Sequence, residues 1–128
     1  MNMRTPTASE LHGVWLLESV QTVLPDGGVL LPFGAHPNGT ILYLRDGAMA
    51  VHIAGSDQAA GLLRAYGGRW HLVNDSVVHV VEVSFEPNLR GVCLQRRAEF
   101  DPETGMLLYT TSEVQGAGHP VVRWRKVS

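Results

Sequence analysis

Two side chains that can bind and protonate a ligand, His79 and Arg96, occur in neighbouring apolar segments of the chain. Both segments alternate like β-strands, in which every second side chain points to the same face of the sheet. Each residue interrupts an otherwise apolar face, made of Val77, Val81, Val83 and Phe85 around His79 and of Val92, Leu94, Ala98 and Phe100 around Arg96. Because consecutive antiparallel strands are neighbours, we expect the imidazole and the guanidinium to face the same interior.

This pair has a functional and a structural interpretation. A guanidinium can hold a carboxylate, enolate or phenolate of a ligand through two parallel hydrogen bonds, and an imidazole with an unperturbed pKa of ~6.5 transfers protons near neutral pH. His79 and Arg96 are therefore the predicted catalytic residues. In the structural interpretation His79 is a core residue, and Arg96 pairs with Glu113 or lies over the ring of Trp15, because a buried cation needs a partner.

Other side chains predicted to face this interior could form the walls of a binding site. The predicted ligand-binding residues are Tyr43, Tyr66, Trp70, Met49, Tyr109 and Glu113. A buried tyrosine hydroxyl needs a hydrogen bond, so each tyrosine can orient a ligand or, in the alternative, satisfy itself within an ordinary core. Trp15 and Trp124 are predicted to pack at the bottom of the fold.

Turn signals that recur at short intervals predict the elements that position these residues. Motifs such as Asp46-Gly47 and Asn74-Asp75 separate segments of apolar alternation, the pattern of antiparallel hairpins. The predicted strands are 13–22, 39–44, 48–53, 66–73, 77–85, 91–100, 106–113 and 120–126. Alternation turns Trp15, Leu17 and Ser19 of the first strand inward. The fold class is all-β: a single antiparallel up-and-down β-barrel of about eight strands, with one short helix near 56–65 at a barrel mouth.

The composition fits a single domain. The 128 residues, of which 45% are hydrophobic, suffice for one core, so we expect a flexible N-terminus over 1–10 and a barrel domain over 11–128. A net charge of −2 without a basic cluster argues against nucleic-acid and membrane partners. The lone Cys93 forms no intramolecular disulfide, and no signal peptide is apparent, which predicts a cytoplasmic protein.

Neither a metal nor a cofactor is predicted. The six histidines are scattered without the spacing of a zinc site. The Gly27-Gly28 pair lacks the glycine spacing and following helix of a phosphate-binding loop, and no Gly-x-Ser-x-Gly elbow supports a serine hydrolase.

Taken together, the motifs of the chain resemble the bacterial and fungal lipocalin-like domain family. They run in order along nearly the whole sequence: Gly13-x-Trp15-x-Leu17-x-Ser19, Pro32-Phe33-Gly34, Pro37-x-Gly39-x-Ile41-x-Tyr43, Asp46-Gly47-x-Met49, Tyr66-x-Gly68, His79, Pro87-Asn88-x-x-Gly91, Arg96 and Trp124-Arg125. The resemblance implies a calycin-type barrel. It also implies either small-molecule binding or cofactor-free isomerisation and cyclisation in secondary metabolism.

These observations lead to three functional hypotheses. The first is a barrel that encloses a small hydrophobic, oxygen-bearing molecule and acts as a cofactor-independent isomerase or cyclase. The second is a small-molecule binding protein without catalysis. The third is a filled barrel that serves as a structural or dimerisation module. In that case the outer surface of the barrel would mediate a homodimer. An open lumen reached by His79 and Arg96 favours the first two hypotheses.

Overall fold

Nine β-strands account for most of the described chain, which comprises residues 2–111 and 117–127 of a computed structural model. The strands are β1 Gly13–Val23, β2 Val29–Leu30, β3 Asn38–Tyr43, β4 Ala48–Ala54, β5 Leu63–Val73, β6 Ser76–Ser84, β7 Cys93–Asp101, β8 Met106–Thr110 and β9 His119–Lys126. One short α-helix, α1 Ala8–Leu11, precedes them, and two 3-10 turns lie at Asp57–Ala59 and Pro87–Leu89. Each predicted strand overlaps one of these strands.

Eight of the strands within the described residues close into a barrel. Each strand from β3 to β8 pairs antiparallel with the next, β1 pairs with β3, and β1 also pairs with β9 to complete the ring. The short β2 adds to the outer end of β1 through Thr22 and Val23 and is not among the predicted strands. The predicted all-β up-and-down barrel is confirmed.

Trp15 closes the end of the barrel where β1 begins, which we call the floor. Its side chain is fully buried, its Nε1–H donates to the Leu11 carbonyl at 2.9 Å, and Phe100 meets it edge-on with ring centroids 5.8 Å apart. Lys126 pairs with Trp15 across β9 and β1 and places Nζ 4.7 Å from the ring centroid. The cation over Trp15 is therefore Lys126, and the alternative in which Arg96 lies over this ring is wrong.

The segment 56–65 contains one 3-10 turn in place of a longer helix. The turn covers Asp57–Ala59, and Gly61 then takes a positive φ of 96°, which ends any helical path. Leu63 already pairs with Ala54 as the first residue of β5. Strand pairing thus overrides the helix propensity of this segment.

A β-bulge in β6 changes which side chains face the interior. Gly68 pairs with Val81 and the residue before it pairs with Val83, so Glu82 is an extra residue in β6. An extra residue reverses the alternation beyond it. Val83 and Phe85 are accordingly 72% and 66% exposed, and the expectation that they face inward is wrong.

Gly68 allows the backbones to approach closely at this bulge. A Cβ placed there would collide with the Val80 carbonyl oxygen and lie 3.0 Å from the Glu82 nitrogen. Because both are backbone atoms, they cannot rotate away. The bulge that separates the inward His79 from the exposed end of β6 therefore requires glycine opposite it.

A second irregularity lies in β1. Leu17 pairs with Trp124 and Ser19 with Arg123, so the register of β1 and β9 shifts between these pairs. Beyond the shift, Val20 and Thr22 face the interior. The expectation that Ser19 faces inward is therefore wrong.

The N-terminal residues lie against the floor. Arg4 forms an isolated antiparallel bridge with Phe100, and its guanidinium pairs with Glu10 at 2.6 Å. Thr7 caps α1 in a capping box with Glu10. Flexibility of residues 1–10 stays a prediction. Within the described ranges, no helix has the length and apolar character needed to span a membrane.

Candidate functional site: a cavity above a buried histidine–tyrosine chain

A cavity of about 280 Å³ lies in the half of the barrel away from the floor. Its walls come from the second half of β1, the loop after β2, and strands β3 to β9. The apolar part of the wall comprises Val20, Pro32, Phe33, Ile41, Val51, Ile53, Pro120, Val122 and Trp124, and the polar part comprises Thr22, Arg64, Tyr66, His79, Arg96, Tyr109 and Thr111. A mostly apolar wall with a few polar groups is typical of small-molecule sites.

His79 lies on the inner face of β6, where it is 2% exposed. Its Nδ1 is 2.7 Å from the Tyr66 hydroxyl, and its Nε2 is 2.6 Å from the Tyr43 hydroxyl. Both ring nitrogens are therefore occupied by protein partners. A proton can leave or reach this imidazole only through one of the two tyrosines.

The hydrogen bonds continue from Tyr43 to a third tyrosine. The Tyr43 hydroxyl is 2.7 Å from the hydroxyl of Tyr109, on the inner face of β8. The result is a buried chain in the order Tyr66, His79, Tyr43, Tyr109, which we call the His–Tyr chain. Tyr66, His79 and Tyr109 line the cavity, and Tyr43 lies behind them.

All four members of the His–Tyr chain are neutral near pH 7. Burial, with a contribution from the positive charge of Arg96, lowers the pKa of His79 to about 3. Burial raises the pKa of Tyr43, Tyr66 and Tyr109 above the usual tyrosine value, although the charge of Arg96 acts in the opposite direction on each. Arg96 is thus close enough to favour negative charge in this part of the barrel.

Arg96 is on the inner face of β7 and lines the cavity. Among the described residues its one hydrogen bond runs from Nη1 to the Gln95 carbonyl at a long 3.4 Å, and none of the ion pairs there includes it. Glu113, the predicted alternative partner, lies outside the described residues. The pairing of Arg96 with Glu113 stays a prediction.

Two predicted ligand-binding residues lie below the cavity wall. Met49 and Trp70 are 5% and 7% exposed and belong to the buried core. Trp70 donates Nε1–H to the Leu44 carbonyl at 3.0 Å and packs against Tyr43 with ring centroids 5.0 Å apart. Trp70 therefore packs against the His–Tyr chain at Tyr43.

Arg64 is not among the site residues predicted from the sequence, and Trp124 lies higher in the barrel than predicted. Arg64 lines the cavity and forms an ion pair with Glu86 at 2.8 Å. The signal was present, because Arg64 and Tyr66 share a face once the segment is assigned to a strand. Trp124 also lines the cavity, and its buried Nε1 has no hydrogen-bond partner among the described residues.

The low pKa of His79 predicts that acid destabilises the fold. Below pH ~6.5 the unfolded chain binds a proton at this residue, whereas the folded chain does not until pH falls to about 3. His79 should therefore reduce the free energy of unfolding by up to about 1.4 kcal/mol per pH unit as pH falls from ~6.5 towards 3. We expect His79→Gln to flatten the pH dependence between pH 7 and 5, measured by urea unfolding.

The matched control is His52→Gln, which changes an exposed histidine of β4. It should leave the pH dependence as it is in the wild type. Parallel stability curves for His79→Gln and the wild type would contradict a neutral, buried His79.

The closed antiparallel barrel and its lined interior define a class of protein: the chain is a lipocalin-like β-barrel. The sequence model of the lipocalin-like domain family matches residues 12–64, the stretch from just before β1 to the start of β5. This match confirms the predicted resemblance to that family. A search of curated proteins gave no match. The lipocalin-like barrel suggests small-molecule binding.

Proposed function

We propose that the chain encloses a small, largely hydrophobic organic molecule that carries an oxygen function. The observation that supports this most strongly is the cavity of about 280 Å³, whose apolar wall surrounds a few polar groups. Its volume is near the lower end of the range of about 300–1,000 Å³ typical of ligand pockets. A compact ring system with one polar substituent suits this space.

In this proposal Arg96 anchors the oxygen function of the ligand. It reaches a cavity wall that is otherwise mainly apolar, and its guanidinium can bind a carboxylate, enolate or phenolate in a bidentate manner. Tyr66 and Tyr109 are hydroxyl-bearing neighbours in the same wall. Together they provide donors for an oxygen atom while the rest of the ligand contacts apolar side chains.

The second candidate function is cofactor-independent isomerisation or cyclisation in a secondary-metabolite pathway. The His–Tyr chain favours it, because an ordinary apolar lumen has no need of three hydroxyls and an imidazole bonded in series. His79 would take part in proton transfer and Arg96 would stabilise developing negative charge. The cavity weakens the third hypothesis, a filled barrel. A homodimer and a cytoplasmic location stay predictions.

Filling the cavity should abolish binding. Val51 is 6% exposed and lines the cavity, so Val51→Phe places added volume where the ligand would lie. We expect wild-type protein to bind benzoylformate, a small aromatic 2-oxo acid, and the variant to bind it at least ten times more weakly. Isothermal titration calorimetry measures both affinities. Overpacking costs about 1–3 kcal/mol of stability, so circular dichroism should confirm that the variant folds.

The matched control is Val83→Phe, which adds the same volume at a position that is 72% exposed. It should bind benzoylformate as the wild type does. Equal affinities for wild type and Val51→Phe would contradict a ligand site in this cavity.

A further inference from the structure

The His–Tyr chain joins two separate points of the cavity wall through a residue that the cavity does not touch. Tyr66 comes from β5 and Tyr109 from β8, and both line the cavity. Between them, His79 bridges to Tyr43, which is 1% exposed and bonds to Tyr109. The chain therefore begins and ends at the cavity wall, and its link from His79 to Tyr109 runs behind that wall through Tyr43.

A count of protons shows that this chain has one hydroxyl proton to spare. Four neutral groups carry one exchangeable proton each, and the three hydrogen bonds between them use three. If every bond donates towards Tyr66, the spare O–H is on Tyr66 and the imidazole is the Nδ1–H tautomer. If every bond donates towards Tyr109, the spare O–H is on Tyr109 and the imidazole is the Nε2–H tautomer.

We propose that the His–Tyr chain is a two-directional proton relay, and that the barrel uses it to move a proton between two atoms of one bound molecule. The substrate class is an enolisable carbonyl compound, and the reaction is its tautomerisation. This inference rests on the proposed function, since the molecule must occupy the cavity. It goes further by making Tyr66 and Tyr109 the residues that exchange protons with the ligand.

Protons and electron pairs balance over one turnover, because the ligand loses one proton to the relay and receives one from it. A ligand C–H bond next to the carbonyl breaks, its proton passes to the Tyr109 oxygen, and its electron pair forms the C=C bond of the enol. Tyr109 passes its own proton to Tyr43, Tyr43 passes one to Nε2 of His79, and Nδ1 passes one to Tyr66. The proton of Tyr66 then bonds to the carbonyl oxygen, which receives the electron pair of its former π bond.

Each protein group ends this sequence neutral, as it began. Only the direction of the hydrogen bonds has reversed, so no charge remains on the imidazole or the tyrosine hydroxyls, whose burial disfavours their charged forms. The reverse reaction uses the reversed chain. After release of the product, water that enters the cavity can carry a proton from Tyr109 back to Tyr66 and restore the first direction.

Nitrogen-15 NMR of His79 tests the relay in the protein without a ligand. A relay requires that His79 populate both tautomers. In the wild type, the chemical shifts of both His79 ring nitrogens should therefore lie between the values of a protonated and an unprotonated nitrogen. Tyr109→Phe should give the Nδ1–H tautomer, because the other direction would leave the hydroxyl of Tyr43 buried without an acceptor. Tyr66→Phe should favour the Nε2–H tautomer, because Nδ1–H would then lack an acceptor.

Ser76→Ala is the matched control for these spectra. It removes a hydroxyl from the same strand, β6, where Ser76 bonds to Asp75 and not to the chain. The His79 shifts should remain those of the wild type. If the wild type shows a single His79 tautomer, and Tyr66→Phe and Tyr109→Phe both retain it, the relay is overturned. The hydrogen bonds would then form a fixed structural network.

Kinetics with Tyr43→Phe provide a second test. This variant interrupts the relay at the residue that lies outside the cavity wall. With saturating phenylpyruvate, an enolisable 2-oxo acid, the enol-to-keto conversion followed by ultraviolet absorbance should be about 100-fold faster with wild type than with Tyr43→Phe. Equal rates for the two proteins would overturn the relay.

Failure of the relay and failure of the proposed function give different results. Benzoylformate has no hydrogen on the carbon next to its ketone, so it reports binding without tautomerisation. If wild-type protein binds benzoylformate but converts phenylpyruvate no faster than Tyr43→Phe, the relay is wrong and the binding function stands. If benzoylformate does not bind at all, the proposed binding function fails, whereas the His79 tautomers still report on the chain itself.

Discussion

Arg96→Met is expected to weaken benzoylformate binding by about 10- to 100-fold. Hydrogen bonds to charged groups contribute roughly 1.5–3 kcal/mol, and every 1.4 kcal/mol changes the affinity tenfold. Methionine keeps an unbranched apolar stem against the cavity wall but removes the charge and the paired donors. Titration calorimetry measures the change. A neutral probe of similar size, such as acetophenone, should lose much less affinity, because it carries no carboxylate for the guanidinium.

Arg97→Met provides the matched control. Arg97 is the next residue of β7 and points outward, where its side chain is 60% exposed and lies near Asp75. The Arg97→Met variant should bind benzoylformate like the wild type, since screened surface charges contribute little to binding. The structural alternative, Arg96 paired with Glu113, makes the opposite prediction for Arg96→Met: unchanged binding together with lower stability. That result would remove Arg96 from the ligand site.

Trp15→Ala is expected to have the largest effect on stability. The indole is fully buried, donates to the Leu11 carbonyl and lies between Phe100 and Lys126. Truncation of a buried tryptophan to alanine costs about 3–5 kcal/mol. Because domains are stable by about 5–15 kcal/mol, this is a large fraction of the total. Urea unfolding followed by far-ultraviolet circular dichroism measures the loss.

Leu16→Ala is the control on the same strand. Leu16 is 40% exposed on the outer face of β1, so its truncation should cost about 1 kcal/mol or less. Similar losses for the two variants would contradict the assignment of Trp15 as the residue that closes the floor.

The sequence was sufficient to predict the strands, because turn motifs and alternation are local signals. It also predicted correctly that the aromatic side chains Trp15, Tyr43 and Tyr109 are buried, since each lies in a stretch of its strand where the pairing is regular. Local alternation places side chains on a face as long as the strand remains regular. The floor of the barrel is such a region, and so is β8, which carries Tyr109.

The upper half was predicted less well, because both bulges lie there. An extra residue at Glu82, and the shift between Leu17 and Ser19, change the face of every later residue in the strand. Nothing in the alternation of β6 marks the bulge. The residue type that reflects the bulge lies on the neighbouring strand, at Gly68.

The His–Tyr chain could not be derived from local patterns at all. Tyr43 and His79 are 36 residues apart, and Tyr43 and Tyr109 are 66 apart. Their hydroxyls and ring nitrogens meet because β3, β6 and β8 face one another across the lumen of a closed barrel. Alternation along each strand can identify these residues as inward-facing, but it cannot predict which of them form hydrogen bonds with one another.

The separation between floor and cavity has a consequence for how such a barrel can change over evolution. Trp15, Leu11 and Lys126 anchor the floor, whereas Pro32 and Phe33 of the loop after β2 contribute to the cavity wall. Substitutions in that loop can alter the shape of the lumen with little loss of the core that keeps the barrel folded. New ligands can therefore be acquired by mutation at one end while the other end preserves the scaffold.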